Sequence, residues 1–300
     1  MNGKPKNATF GFKRFICYIL AVVMAASATL FISVGITASL LRTNIFVQKR
    51  FEAYNSQLLK EVYNELGEVA EKTGIPKKAY TSAFSSKHMQ SALHIASNNV
   101  VKGYKTDYSE SGFLYDYCKN SITKYCKKND IPITNRQINQ YACFAVDAFN
   151  KVVGDESTNS IIIIALTYTN KPAFAMLFSL IAFILCIFLI DFISARRHKK
   201  YEYMGISFII SGEVMFVLPF FAIIMKYAND LHFTDVDVYN VALADTLNDI
   251  LKIIMVFGVL VFVLGVFLVV KNYRYYLHKA QSFNTEKQIV EKIKNEQTEK

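Results

Sequence analysis

The chain has 300 residues, a formal net charge of +10 and a hydrophobic fraction of 52%, with a mean hydropathy of +0.22. That length holds one sizeable domain or two small ones. The apolar residues are not spread evenly, which argues against a wholly soluble protein. They gather in four runs, roughly 15–41, 173–193, 204–225 and 253–270, broken only by the charges of Asp191 and Glu213. Each run is long enough to cross a hydrocarbon core about 30 Å thick at about 1.5 Å per helical residue. None carries the polar face that a water-exposed helix repeats about every 3.6 residues. The pattern predicts an integral membrane protein.

The first run follows a basic start (Lys4, Lys6, Lys13, Arg14) and contains Ala26-Ser27-Ala28, features shared with secretory signal peptides. It continues through "TLFISVGITASLL", past the apolar core of about 7–15 residues that such peptides use, so an uncleaved anchor is expected. Down this helix Ala21, Ala25, Thr29, Ser33 and Thr37 recur at four-residue spacing, a small-residue stripe that lets another helix approach closely.

Residues 42–170 are the only stretch large enough for a soluble-type core. Four amphipathic runs are legible there. Phe51, Tyr54, Leu58, Val62, Leu66 and Val69 form the first, ended by Gly74 and Pro76. Met89, Leu93, Ala96 and Val100 form the second, with Ser85 or Ser86 as its cap. Leu114, Cys118, Ile122 and Tyr125 form the third; Ile138, Tyr141, Ala145, Ala148 and Val152 form the fourth. "TGIPKKAYTSAF" and "NDIPITNRQINQ" share an Ile-Pro before a helical run, read as a common loop–helix start. The β-branched stretch in "SIIIIALTYTNKP" fits a short strand, a buried helix or an interface-lying segment, and Pro172 suits the first turn of the second span.

Cys118, Cys126 and Cys143 belong to this domain. Cys118 and Cys126 are eight helical residues apart, about 12 Å of rise, too far to bridge within one straight helix. Cys143 could pair with either if its helix packs alongside; buried free thiols fit the odd count equally well.

Basic residues set the orientation. Residues 1–14 hold four and no acid, "ARRHKKYEY" holds four against Glu202, and the tail from Lys271 holds seven against four acids. Residues 227–251 hold Asp230, Asp235, Asp237, Asp245 and Asp249 and no Lys or Arg. Lys and Arg collect on the cytoplasmic side, so both termini are expected in the cytoplasm of a multi-pass cell-membrane protein. The positive charge reads as topology and attraction to anionic headgroups in the lipid bilayer, not as nucleic-acid binding.

Glu213 is the residue that stands out, because an ionisable group at mid-membrane is costly and often marks an ion or proton route. No basic residue lies at its depth in any span, leaving Ser211, Thr29 and Ser33 as candidate partners. Packing across a helix interface is the first reading and a proton route the second. Asp191 lies near Arg196 and Arg197, suited to pairing at the interface. Thr234-Asp235-Val236-Asp237 matches a capping box for the helix that feeds the fourth span. Asp235-x-Asp237-x-x-Asn240 lacks the glycine and terminal Glu of an EF-hand. No phosphate loop, H-E-x-x-H, nucleophile elbow or dinucleotide fingerprint occurs, and His88 and His94 fall on opposed helix faces, so no catalytic, metal or cofactor site is expected.

The expected fold is all-α: four transmembrane helices with a helical extracytoplasmic domain inserted between helices 1 and 2. The boundaries are a basic N-terminus 1–14, spans at 15–41, 172–193, 204–226 and 252–271, the domain at 42–170, a basic loop 194–203, an acidic outer loop 227–251 and a basic tail 272–300. The order of the anchor, "LKEVYNELGEVAEKTGIPKKAY", "CKKNDIPITNRQINQYACFAVDAFNKVV" and "RRHKKYEYMGISFIISG" resembles uncharacterised multi-pass membrane proteins of clostridia-type Gram-positive bacteria. That resemblance implies architecture and no functional residues. The expected function is a non-enzymatic binding, sensor or accessory protein with a membrane-protein partner or a homo-oligomeric state. The alternative is a small oligomeric transporter or channel-like protein with Glu213 in the path.

Overall fold

A computed structural model describes residues 6–42, 49, 53–85, 87, 91, 95, 112–154, 172–194, 199–232, 234 and 236–298. Every regular element among them is helical. In chain order these are α1 (Lys6–Arg42), α2 (Asn55–Thr73), α3 (Lys78–Thr81), α4 (Gly112–Lys128), α5 (Asn135–Val153), α6 (Pro172–Ile193), α7 (Lys199–Ile224), a 3-10 turn (Tyr227–Asp230) and α8 (Asp237–Thr298). Four stretches, Gly11–Leu41, Ala173–Ile193, Lys199–Ile224 and Asp237–Lys279, are long and apolar enough to cross a membrane. Pro172 opens α6, where its missing N–H costs no hydrogen bond. Met89, Leu93, Ala96 and Val100 of the second amphipathic run, and the β-branched stretch at 160–171, lie outside the described residues.

The chain divides into two compact units. One is a helical domain, Ile36–Pro172 with Ala222–Ile250. Helix α2 buries Leu58, Val62, Leu66 and Val69, one face of a 3.6-residue repeat, and ends where Gly74 takes φ 72° and donates its N–H to the Ala70 carbonyl. Only glycine adopts that left-handed turn without a Cβ penalty. Helix α5 starts on a reciprocal cap: the Gln137 N–H donates to Thr134 Oγ1 at 3.3 Å, and the Thr134 N–H donates to Gln137 Oε1 at 2.9 Å. Helix α5 packs on α2 and α4, and α3 packs on α4. Their shared core holds Tyr80, Phe84, Leu114, Cys118, Ile122, Cys126, Ile138, Val146 and Phe149, with Phe84 stacked on Phe149 at 5.1 Å.

The acidic segment is part of this domain. Val238 and Tyr239, in the first turn of α8, are buried in the same core. The Tyr239 hydroxyl donates to the Val153 carbonyl at 3.2 Å, and the Tyr54 hydroxyl donates to Asp245. The expected Thr234–Asp237 capping box is replaced by a different start. Thr234 Oγ1 turns back on Val236, accepting its N–H, while Asn240 accepts from Thr234 N at 3.0 Å and donates to Thr234 O at 2.8 Å. A carboxylate offers only acceptors, whereas the Asn240 amide supplies the donor and the acceptor that this clasp needs.

The other unit is Met1–Gly35, Ala173–Phe221 and Leu251–Lys300. Cys17, Ala21 and Met24 of α1 form a buried cluster with Cys186 and Ile190 of α6 and Tyr203 of α7. Away from these contacts the apolar helices of the unit also expose large apolar side chains: Phe174, Phe178 and Phe192 are 78%, 77% and 89% exposed. Such a surface suits lipid, not water.

Candidate functional site

The residues singled out by the sequence lie around the middle of α7. Two of them meet. The hydroxyls of Thr29 on α1 and Ser211 on α7 are 2.9 Å apart, and Ser211 is fully buried. Ser33, one turn further along α1, is half-buried. Ala21 and Ala25 of the small-residue stripe are also buried. This side of α7 is therefore closed by α1.

The adjacent side is closed by α8, through residues the sequence reading did not single out. Gly205 and Gly212 on α7 face Gly265 and Gly258 on α8, in antiparallel order. A Cβ on Gly212 would sit 2.6 Å from the Gly258 carbonyl oxygen and 2.5 Å from the Phe262 nitrogen. One on Gly205 would sit 2.9 Å from the Gly265 oxygen, and one on Gly265 would sit 2.6 Å from the Ile209 nitrogen. Two backbones approach this closely only where side chains are absent. Each glycine pair is seven residues apart within its helix, and that matched spacing in two apolar runs was the available signal.

Glu213 takes part in neither contact. Successive residues on a helix are about 100° apart, so with Ser211 turned toward α1 and Gly212 toward α8, Glu213 points away from both. Its side chain is exposed, and among the described residues no hydrogen bond or ion pair reaches it. It therefore does not join Thr29, Ser33 and Ser211 in one cluster. The physical reason is register: the glycine contacts set the rotation of α7, and that rotation turns Glu213 outward. An unpaired charge at the centre of a membrane helix costs about 2.5–3.5 kcal/mol on insertion scales. Phe216 and Phe220, three and seven residues on, share its face, and their rings stack at 5.8 Å.

Nearer the helix ends, some polar groups are paired. Asp191 meets Lys200 at 3.5 Å, a partner other than the expected Arg196 and Arg197, which lie outside the described residues. The Asn272 amide donates to Glu202 at 3.5 Å.

Two of the surface clefts on the helical domain are lined by described residues. One, of about 420 Å³, is lined by Lys78, Ser82, Tyr117, Ser121, Lys124 and Lys128 among others, with three cations and no carboxylate among the described residues. The other, of about 270 Å³, contains the ion pair of Lys151 with Glu65 at 2.7 Å, and the hydrogen bond that Lys151 donates to the Glu65 carboxylate raises the Lys151 pKa. The thiols divide by burial. All five cysteines are free; Cys118 and Cys126 are buried and Cys143 is exposed. Desolvation raises the Cys118 thiol to about 12 and the Tyr80 phenol to about 12. Among the described residues no three His, Cys, Asp or Glu side chains converge as metal ligands.

Comparison of the chain with protein-family models, with curated proteins and with solved structures finds no match. The class defined by the fold is thus an α-helical protein of the multi-pass membrane type, with four helices able to cross a bilayer.

Proposed function

We propose that the chain is a non-enzymatic binding, sensor or accessory protein of the cell membrane, with both termini in the cytoplasm and the helical domain outside. The observation that carries this reading is the domain itself. It has its own core and a basic cleft open to solvent, and it incorporates two segments separated in sequence by the second and third spans. Because Tyr239 and Val153 share that core, both segments belong on one side of the bilayer, independently of any charge rule. The Lys and Arg bias then selects the outer side.

The exposed thiol of Cys143 provides the test. In intact cells a membrane-impermeant maleimide should label Cys143 without permeabilisation, and Cys143→Ser should remove that labelling. Labelling that appears only after permeabilisation would put the domain in the cytoplasm and overturn the orientation. For binding, the full-length protein should bind an anionic probe through the cleft. Lys124→Glu with Lys128→Glu should weaken that binding about tenfold, a loss of about 1.4 kcal/mol.

A transport reading would require several copies. Glu213 is exposed on the protomer surface, so a path containing it would form only between subunits.

A further inference from the structure

We infer that the outward face of α7 around Glu213 is a docking surface for a partner membrane helix that carries a lysine or arginine at mid-depth. The inference rests on the membrane reading of the four helices and adds the chemistry of the partner to it.

The first ground is fixed register. Ser211 is held against Thr29, and Gly212 is held against Gly258 at a distance that leaves no room for even a methyl group. Helix α7 therefore cannot rotate to bring Glu213 inside without breaking both contacts. The second ground is depth. Glu213 lies nine residues from Met204, about 13.5 Å along a helix at 1.5 Å per residue, close to the midpoint of the apolar run. A side chain of this length near a helix end can reach the headgroups, whereas one at the centre cannot.

The third ground is charge. No lysine or arginine occurs within 15–41, 173–193, 204–225 or 253–270, so the chain has no cation of its own to offer at that depth. For the same reason a second copy is a poor occupant. Two copies joined on this face would bring carboxylate to carboxylate, and like charges at close range repel. A basic side chain on another protein's helix supplies what is missing: an ammonium or guanidinium to pair with the carboxylate, next to the stacked Phe216 and Phe220 rings that also attract cations. Phe216, Val217 and Phe220, 38%, 41% and 40% exposed, continue the stripe along which such a helix would lie.

The test uses the full-length protein in phosphatidylcholine vesicles, labelled with a donor fluorophore. An acceptor-labelled synthetic Leu–Ala helix of about 21 residues carries one central Lys, and its control carries Leu there. Energy transfer should show the Lys helix associating about tenfold more tightly than the Leu helix. Glu213→Gln should abolish that preference and Glu213→Asp should retain it, with unchanged thermal melting reporting intact folding in both variants. Equal association of the two helices would overturn the proposal, as would a Lys preference that survives Glu213→Gln. Glu213-dependent transfer between differently labelled copies without any peptide would overturn it in favour of a second copy. Failure of the protein to float with the vesicles would instead overturn the membrane reading on which the proposal rests.

Discussion

Cys118 and Cys143 illustrate how far the surroundings of a side chain control its chemistry. Both come from amphipathic helices of one domain, yet one is fully buried and the other is exposed. Since the thiolate is the reactive form, Cys118 and Cys126 should resist a thiol reagent until the domain unfolds, while Cys143 reacts at once. A time course with 5,5′-dithiobis(2-nitrobenzoate), with and without denaturant, checks this; rapid reaction of Cys118 in the folded protein would contradict the packing described. Burial also predicts a pH dependence. The Cys118 thiol is raised from 9.0 and the Tyr80 phenol from 10.0, each to about 12, so both favour the protonated form in the folded domain. Their contribution is complete below pH 9.0 and is lost as pH rises toward about 12. Melting temperatures should be level from neutral pH to about 9 and fall above it, with a shallower fall in Cys118→Ala. Which cysteine is buried was legible only in part. The spacing of Leu114, Cys118 and Ile122 marks a core face, but Cys143 lies beside the buried Ala142, and only the packing of α5 separates them.

Among the elements, the pairing of α7 with α8 depends most on single atoms. Gly212→Ala adds a methyl group that would meet the Gly258 and Phe262 backbones at 2.6 and 2.5 Å. Backbone cannot move aside as a flexible side chain can, so a loss of about 1–3 kcal/mol is expected. Gly11→Ala meets nothing within 4 Å and is the matched control, with little change expected. Thermal unfolding of the two variants in detergent distinguishes them; equal melting temperatures would mean that the helices separate there without cost. The small-residue stripe of α1 was readable because it repeats every four residues. The glycines of α7 and α8 were harder to read, since each pair has meaning only against its counterpart on the other helix.

At the scale of the molecule, the acidic segment is tied to the helical domain by Tyr239. Tyr239→Phe removes its hydrogen bond to the Val153 carbonyl and should cost about 1 kcal/mol. Tyr239→Ala also empties a core position and should cost about 3–5 kcal/mol, the range for large aromatic truncations. Denaturant unfolding of the full chain measures both; a negligible loss in Tyr239→Ala would mean that the domain is stable without this segment. The sequence alone determined the four apolar helices, the amphipathic faces of α2, α4 and α5, and the stop at Gly74. Those depend on local periodicity and on conformational limits that each residue carries with it. Only tertiary structure decided that Tyr239 joins a core built about a hundred residues earlier, that Ser211 meets Thr29, and that Glu213 faces outward. Helical periodicity gives the angles between side chains on one helix, but the direction in which a neighbour lies is a property of the packed assembly.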